Sequence, residues 1–409
     1  MPRQIFMLTV MLFVLSIVSA QTKRKAVFVI VDGIPADVVE KISTPALDSI
    51  AAVGGYARAY VGGERDGYSQ TPTISAVGYN SLLTGTWANK HNVWDNSIDS
   101  PNYSYPTIFR LFKEQFPDKK TAVFSSWLDN RTKLVGEGVL ATGNLKIDYH
   151  YDGLELDTVK FPHDNARDFM LRIDESVIDT ASAMIRTQAP DLSWVYLEYT
   201  DDMGHAHGDS EPFYRAVRLM DRQISRLWAA IRFRQKNYKE DWVIYITTDH
   251  GRTAGDGKGH GGQSDRERTT WIVTNDDGLN SYFKSGKAAI VDIMPSLAEH
   301  LGVKLAMPVA YEVDGVRLNG RLSASGLKAV LTEGKLDINW EYVDGGGEAV
   351  VYITTTNHAG KGKVDEYIEV GRALAESGKI RVDVSAKESD FYKVVVVFRY
   401  NVLNRWVVE

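Results

Sequence analysis

Aspartate and histidine residues gather in short glycine-containing segments of this chain, and both side chains are ligands of divalent metals. The segments read "VIVDG", "EYTDDMGHAHG", "YITTDHG" and "GKGHGG". Taken singly, each residue is explained as a turn aspartate or a surface histidine. As a set, mixed Asp and His donors suit Zn²⁺ or a similar cation, and their number is that needed by two metals. The six residues are Asp32, Asp201, His205, Asp249, His250 and His260.

A stretch rich in serine and threonine, "SQTPTISAVGYNSLLTG", is the second candidate for chemistry. Its residues Thr71, Thr73 and Ser75 stand just ahead of an apolar run typical of a helix. One interpretation is helix N-capping, because Ser and Thr accept hydrogen bonds from a first turn. The other is a nucleophile at a helix N-terminus, where the dipole favours a developing anion. The stretch alone favours capping and leaves both interpretations open.

The segments with Asp and His follow apolar runs that lack inside/outside alternation, which is typical of strands buried on both faces. Helical patterns such as residues 213–233 lie between these runs. The pattern predicts an α/β fold with a mostly parallel central sheet, whose ligand sites form at the carboxyl ends of its strands. The predicted strands are residues 26–32, 121–127, 193–200, 241–249 and 268–275.

The texture of the sequence changes after about residue 320. Short apolar runs such as "EAVVYITTTN" and "YKVVVVFRYN" are separated by turn residues. Strands at this spacing indicate a small all-β sandwich, similar in size and texture to a fibronectin type III module. We therefore predict a catalytic domain over residues 21–320 and a sandwich domain over residues 321–409.

Composition and the first residues bear on location. The 409-residue chain has a formal net charge of −6, so no basic footprint indicates a nucleic-acid polymer as partner. With no cysteine, disulfides and thiolate chemistry are excluded. Residues 1–20 carry Arg3, an apolar core and "VSA", which predicts a signal peptide cleaved before Gln21. An uncleaved anchor is the alternative, but its apolar run is short. We expect an exported protein, periplasmic or extracellular, without a membrane span after cleavage.

The order of the motifs resembles the alkaline phosphatase superfamily, and more closely its nucleotide pyrophosphatase/phosphodiesterase branch. The chain has "VDG", a Ser/Thr site ahead of "TG", "DxxGH", "DHG" and "GHG", over roughly residues 25–320. The resemblance implies an α/β sandwich and hydrolysis of phosphate or sulfate esters through one or two metals. In that family the nucleophile lies ten residues before the Gly of "TG", which here is Gly85, so the resemblance assigns Ser75 as the nucleophile.

The resemblance also divides the ligands between two metals, for which Zn²⁺ is the first expectation. His207 is an alternative to His205 as the ligand, since it lies only two positions further along the chain. Asn96 is implied as a donor to a phosphoryl oxygen, with a turn asparagine as the alternative. The implied ligands are Asp32, Ser75, Asp249 and His250 for one metal, and Asp201, His205 and His260 for the other. The implied enzyme is a secreted phosphodiesterase with a phosphoserine intermediate and a small phosphate-ester substrate.

Two departures from related patterns bear on the substrate. The phosphodiesterase branch usually has Thr followed by Phe, Pro and Asn, whereas Ser75 precedes Ala76, Val77 and Gly78, which weakens the case for stacking a nucleotide base. A sulfatase needs Pro and Arg where this chain has Val77 and Tyr79, and its other nucleophile, Cys, is absent. An inactive metal-binding protein is a further alternative, although the ligand set is complete.

The choice between diesters and monoesters depends on positive charge near the nucleophile, since a monoester carries about one more negative charge near neutral pH. Relatives that prefer monoesters supply an Arg or a Lys-Asp-Arg triplet. In the loop "LDNRTKLVG", aligning Arg131 with the Arg of the triplet puts Asp129 at the position of the triplet's Lys. Lys133 is a candidate to supply the missing positive charge. An ordinary surface loop is the alternative. We predict diesters over monoesters; Trp127 is a candidate for stacking on the leaving group, and the oligomeric state is left open.

Overall fold

A computed structural model describes residues 23–408 of the chain. The predicted signal peptide, residues 1–20, lies outside this range. Among the described residues, no helix combines the length and the apolar character that crossing a membrane requires.

A seven-stranded sheet forms the centre of the first part of the chain, with strand order β2-β7-β6-β1-β5-β3-β4. Strands β6, β1, β5, β3 and β4 run parallel, and β7 pairs antiparallel with both β6 and β2. The sheet is therefore mostly parallel, as the sequence predicts. Its strands are β1 (Lys23–Val31), β2 (Gly55–Tyr60), β3 (Thr121–Ser125), β4 (Tyr149–Tyr151), β5 (Leu192–Leu197), β6 (Glu240–Thr247) and β7 (Thr269–Thr274).

Helices cover both faces of this sheet and bury it in two hydrophobic cores. Along β1, Phe28 and Ile30 belong to one core, while Val27 and Val29 belong to the other. This division explains why the strand is apolar throughout and shows no alternation. The helices are α1 (Ala36–Lys41), α2 (Pro45–Ala51), α3 (Ser75–Thr84), α4 (Ala88–His91), α5 (Ile108–Gln115), α6 (Asp168–Thr187), α7 (Tyr199–His207), α8 (Glu211–Tyr238), α9 (Asp265–Arg268), α10 (Ile293–Leu301) and α11 (Met307–Ala310).

The five strands and the long helix predicted for this part are confirmed as β1, β3, β5, β6, β7 and α8. Strands β2 and β4 are not among the predicted strands. Strand β2 lies at one edge of the sheet and is partly exposed, and β4 has only three residues at the other edge. Edge strands lack the continuous apolar run by which buried strands are recognised.

The C-terminal part is an all-antiparallel sandwich of a three-stranded and a four-stranded sheet, with orders β12-β9-β8 and β11-β10-β13-β14. This confirms the predicted all-β fold. Strand β8 is missed by the sequence analysis because an irregularity between Ser325 and Lys328 breaks its pattern. The strands are β8 (Ala324–Thr332), β9 (Lys335–Tyr342), β10 (Glu348–Thr354), β11 (Ile368–Leu374), β12 (Lys379–Asp383), β13 (Phe391–Val397) and β14 (Val402–Val408).

A buried lysine connects the sandwich to the α/β part. Lys90 of α4 donates through Nζ to Asp314 Oδ1 at 2.5 Å, to the Glu312 carbonyl at 2.7 Å and to Asn404 Oδ1 at 2.9 Å. Asn404 belongs to β14, and Trp406 of the same strand stacks on Tyr68. The two parts therefore share polar and aromatic contacts, and the domain boundary near residue 320 stays a prediction.

Candidate active site

The carboxyl ends of three adjacent strands, β6, β1 and β5, bring the predicted Asp and His residues together. Asp32 follows β1, Asp249 and His250 follow β6, and Asp201 lies on α7 directly after β5. His205 is four residues beyond Asp201 on the same helix, and this spacing puts both side chains on one helix face. The convergence follows from the parallel sheet, in which the strands end at a common edge.

His250 is the centre of a first group of donor atoms. Its Nε2 lies 3.4 Å from Asp32 Oδ1, 3.3 Å from Asp249 Oδ2 and 3.4 Å from Ser75 Oγ. Donors bound at about 2.1 Å to one tetrahedral Zn²⁺ lie about 3.4 Å from one another. The observed separations therefore have the spacing that a single tetrahedral ion requires.

Apart from the Ser75 hydroxyl, the hydrogen-bond roles in this group make the facing atoms acceptors. His250 Nδ1 lies 2.9 Å from the Gly251 carbonyl, which can only accept, so the ring hydrogen is on Nδ1 and Nε2 keeps its lone pair. Asp32 Oδ1 and Asp249 Oδ2 are buried and have no hydrogen-bond partner among the described residues. Buried acceptors without donors are costly, and a divalent cation between them satisfies all three. The residues fit a metal.

The electrostatics of the group agree with this fit. Burial, followed by the charges of Asp249 and Asp201, raises the pKa of Asp32 well above its ordinary value. Burial and the charge of Asp201 likewise raise the pKa of Asp249 to about 7. Burial and neighbouring His260 lower the pKa of His250 well below its ordinary value, which keeps the ring neutral. Neutral imidazole is the form that binds a cation, and a cation between the two carboxyl groups would offset the burial and the repulsion that raise their pKa values.

A second group of donors surrounds His205. Its Nε2 lies 3.2 Å from Asp201 Oδ2 and 3.0 Å from His260 Nε2. His260 Nδ1 donates to the Thr73 carbonyl at 2.9 Å, so its Nε2 also keeps a lone pair. His207 is exposed at the end of α7, and a residue two positions from His205 lies on a different helix face. The geometry favours His205 over His207.

The two groups are neighbours. His250 Nε2 is 4.0 Å from Asp201 Oδ1, and the rings of His250 and His260 stack with centroids 3.7 Å apart. Two subsets have donor atoms mutually within 4.8 Å: Asp32, Asp249 and His250 form one, and Asp201, His250 and His260 form the other. The second subset contains His250, whereas the resemblance implies His205 as the third ligand beside Asp201 and His260. The arrangement is compact enough for two ions about 4 Å apart.

Ser75 begins helix α3 and faces the first group. The helix has no side-chain cap, so neither Thr73 nor Ser75 serves the capping role that the stretch alone favoured. Asn96 Oδ1 instead accepts from the Ala76 N–H at 3.0 Å, and Asn96 and Ser75 line the same cavity. A Cβ on Gly78 would lie 2.8 Å from the Asp249 carbonyl, so glycine allows α3 to approach the Asp249 loop closely.

Two tyrosines that the sequence analysis did not select hold Asp32 in place. The hydroxyls of Tyr79 and Tyr196 both donate to Asp32 Oδ2, Tyr196 at 2.7 Å, and the two hydroxyl oxygens lie 2.8 Å apart. Both rings are buried. Since Oδ2 accepts both hydroxyls, Oδ1 is the oxygen directed at His250. Tyr79 occupies the position at which a sulfatase has arginine.

Arg252 is a second omission, although it directly follows the "DHG" motif. Its guanidinium is fully buried and contacts Asp201 Oδ1, while Nε donates to the Gly33 carbonyl at 2.8 Å and Nη2 to the Asp201 carbonyl at 2.9 Å. A Cβ on Gly33 or Gly204 would lie within 2.6 Å of guanidinium atoms. These two glycines therefore make the space for Arg252. Asp201 Oδ2 is left to face His205.

A cavity of about 400 Å³ opens onto Ser75. Trp127 lines it, as the stacking hypothesis requires, together with side chains that the sequence analysis did not select. Arg167 Nη2 contacts Glu198 Oε1 at 3.1 Å and Asp202 Oδ1 at 2.6 Å, so its charge is met by two carboxylates. The side chains lining the cavity beyond the proposed ligands include Asn96, Trp127, Glu155, His163, Arg167 and Glu198.

The loop proposed to carry extra positive charge is bound to other parts of the fold. Arg131 donates to Asp152 through Nε at 2.6 Å and Nη2 at 2.9 Å, and also contacts Glu137. Lys133 Nζ pairs with Asp129 Oδ2 at 2.8 Å. None of these side chains lines the cavity at Ser75. Arg131 and Lys133 therefore stabilise the loop and do not face the nucleophile.

Comparison with solved structures shows the fold of this chain. It is similar to Ps i-CgsB in complex with k-i-k-neocarrahexaose (15% identity, 78% of this chain, 82% of that chain, TM-score 0.50). It is also similar to a 2-O GAG sulfatase (13% identity, 89% of this chain, 86% of that chain, TM-score 0.49). A third similar structure is murine ectonucleotide pyrophosphatase/phosphodiesterase 5 in complex with AMP (13% identity, 69% of this chain, 96% of that chain, TM-score 0.46).

Comparison with protein sequences identifies the family. No curated protein sequence matches the chain. The family model described as type I phosphodiesterase / nucleotide pyrophosphatase matches residues 26–342, which is most of the chain and includes every proposed ligand. The chain therefore belongs to the type I phosphodiesterase/nucleotide pyrophosphatase family, a family of hydrolases within the alkaline phosphatase superfamily.

Proposed function

We propose that this protein is a two-metal phosphodiesterase that forms a phosphoserine intermediate on Ser75. The observation that carries the proposal is that Asp32 Oδ1 and Asp249 Oδ2, two buried acceptors without a donor, lie 3.4 Å and 3.3 Å from His250 Nε2, which also contacts the Ser75 hydroxyl at 3.4 Å. A nucleophile that shares a donor set with metal ligands is arranged for activation by the ion.

The ligands proposed for the two ions are the two groups described above. Asp32, Ser75, Asp249 and His250 would hold one ion, and Asp201, His205 and His260 the other. Zn²⁺ is the proposed metal, because mixed His and carboxylate donors at tetrahedral spacing suit it. Bound there, divalent ions supply Lewis-acid stabilisation of negative charge.

Residues of the chain position the reacting groups. Ser75 Oγ attacks phosphorus, forms the Oγ–P bond and breaks the bond to the leaving oxygen, which departs protonated as an alcohol. Water then cleaves the Oγ–P bond and restores the serine. The N-terminus of α3 and the Asn96 amide stand where charge develops on the phosphoryl oxygens, a position in which helix dipoles and donors favour anions.

The charges around the cavity favour diesters over monoesters. Among the described residues that line the cavity, Arg167 and His163 are the basic ones, and Glu198 and Asp202 offset the charge of Arg167. Burial and the charge of Asp202 raise the pKa of Glu198 well above its ordinary value. Even with Glu198 neutral, Asp202 and Glu155 offset Arg167, so the side chains outside the proposed metal ligands add no net positive charge for the second charge of a monoester dianion.

Replacement of Ser75 tests the proposal. We expect Ser75→Ala to lower turnover of an aryl phosphodiester by at least about 10³-fold, because the nucleophile is lost. Its metal content, measured by elemental analysis, should remain between one and two equivalents, because Ser75 is only one of the four ligands proposed for the ion at His250. Ser75→Thr is the matched variant, since it keeps a hydroxyl at the same position and should retain measurable turnover. Wild-type rates in Ser75→Ala would refute the assignment of the nucleophile.

A further inference from the structure

The two groups of proposed metal ligands carry different charges. The first group, around His250, contains two carboxylates, Asp32 and Asp249, whereas the second group, around His205, contains one, Asp201. The histidines of both groups are neutral when they bind a cation. Because the attraction of a divalent ion grows with the negative charge of its ligands, the first group attracts such an ion more strongly.

Arg252 places a positive charge against the carboxylate of the second group. Its guanidinium contacts Asp201 Oδ1, and the side chain is fully buried, so solvent and salt screen this charge little. Nε donates to the Gly33 carbonyl at 2.8 Å and Nη1 to the Lys258 carbonyl at 3.1 Å, which fixes the guanidinium in place. Its hydrogen bonds within residues 23–408 reach no donor atom of the first group. An ion at the second group therefore faces a fixed like charge that an ion at the first group does not contact.

Two further carboxylates near the second group are engaged elsewhere. Asp202 Oδ1 is paired with Arg167 Nη2 at 2.6 Å. Glu267 accepts the N–H groups of Gly262 at 2.9 Å and Ser264 at 3.2 Å, and also the Ser264 hydroxyl. Neither carboxylate is directed at the donors of the second group, so neither replaces the negative charge that Arg252 offsets.

Burial separates the two groups in the same direction. Asp32, Asp249 and His250 are buried, and Ser75 is 7% exposed. The side chain of His205, in contrast, is 48% exposed. Two buried carboxylate oxygens without donors gain most from a cation, whereas a half-exposed histidine remains hydrated without one. The first group is thus arranged to retain its ion, and the second is open to exchange.

We propose that Arg252 makes the second group a much weaker metal site than the first, so that the protein retains one ion and takes up the other according to the free metal concentration. This inference rests on the two-metal centre of the proposed function and concerns the order in which that centre fills. Arg252 acts through Asp201 and is a positioning residue. Turnover that needs both ions would then follow the supply of free metal.

Graded removal of zinc from the full, metal-loaded chain tests the order of filling. The protein is dialysed at pH 8 against chelator buffers of decreasing free Zn²⁺, and bound zinc is measured by elemental analysis. At this pH protons compete less for Asp32 and Asp249, whose pKa values burial raises. We expect two steps of about one equivalent each, separated by at least about 100-fold in free Zn²⁺. A single step of two equivalents would overturn the proposal.

Histidine variants assign the two steps. His205→Ala should remove the step at high free Zn²⁺ and leave the tight step where it is in the wild type. His207→Ala is the matched control, because His207 is exposed at the end of the same helix and is not a proposed ligand; both steps should remain. Loss of the tight step in His205→Ala would show that the second group holds the retained ion, against the proposal.

Substitution of Arg252 tests the cause of the difference. Arg252→Met removes the positive charge and should move the weaker step to free Zn²⁺ at least about tenfold lower. Arg252→Lys keeps the charge, and its weaker step should stay close to that of the wild type. A weaker step that Arg252→Met leaves unmoved, or shifts to higher free Zn²⁺, would refute the role of Arg252. If Arg252→Met does not fold, the steps of the wild type and of His205→Ala decide the order of filling.

These outcomes are distinct from failure of the proposed function. Two equal steps refute the inequality and leave the two-metal centre intact, whereas absence of bound zinc refutes the centre and the inference together. Turnover in Ser75→Ala decides the nucleophile in a separate assay.

Discussion

Tyr196 allows the Asp32 carboxylate to be perturbed without changing any proposed ligand. Its hydroxyl donates to Asp32 Oδ2 at 2.7 Å, and the Tyr79 hydroxyl shares that oxygen. Tyr196→Phe removes one of these donors and keeps the buried ring. Because the two hydroxyls hold Oδ2, they also determine where Oδ1 points. We expect the variant to fold and to bind metal less tightly at the group around His250.

The size of the effect follows from the lost hydrogen bond. A hydrogen bond to a charged group contributes about 1.5–3 kcal/mol, and about 1.4 kcal/mol is tenfold in Kd. Metal affinity should therefore fall by about 10–100-fold, the range typical of hydrogen-bond partners of metal ligands. Burial already raises the pKa of Asp32, and the hydrogen bond from the Tyr196 hydroxyl lowers that pKa. Loss of the Tyr196 hydroxyl should therefore raise the pKa of Asp32 further. Since metal must displace the proton, the pH of half-maximal metal uptake should move upward.

Competition with a metal chelator, repeated across pH, measures both quantities. The matched control is Tyr245→Phe, because the Tyr245 hydroxyl makes a similar buried bond to Asp276 Oδ2 at 2.7 Å and does not line the cavity at Ser75. We expect a comparable loss of folding stability in both variants and a change in metal affinity only in Tyr196→Phe. If Tyr196→Phe binds metal as tightly as Tyr245→Phe does, the tyrosine does not orient Asp32.

Four further results are expected. In chelator, Arg252→Met should lower the free energy of unfolding by about 3–5 kcal/mol, measured in urea, because Asp201 loses its buried partner; no change would contradict that pairing. His205→Ala should deplete the second metal by elemental analysis and His207→Ala should not; the reverse result would exchange their roles. Matched aryl esters should show a higher kcat/KM for the diester, and a monoester preference would make the enzyme a phosphatase. Removal of residues 321–409 should lower Tm, because Lys90 loses its contact with Asn404. The truncated protein, where it is soluble and metal-loaded, should keep its turnover; a loss of turnover would show that the sandwich contributes to the active site.

Much of the site could be predicted because its ligands are attached to regular elements. Asp32 and Asp249 directly follow apolar strands, and the carboxyl ends of parallel strands must meet at one edge. His205 follows Asp201 by four residues, which is the spacing of one helix face. Periodicity alone therefore places these side chains close together. Strands β2 and β8 were missed because partial exposure or an irregular register removes the same periodic signal.

The α/β class, the all-β C-terminal part and the set of Asp and His donors can be predicted from the sequence, because they follow from local periodicity and from residue chemistry. The side chains that surround these donors are set by tertiary packing. Tyr196 meets Asp32 across 164 residues, and Arg252 meets Gly33 across 219. No local pattern encodes such contacts, since they depend on how whole strands and helices pack. For the same reason, Arg131 pairs with Asp152 rather than facing Ser75, a choice made by the fold of its loop.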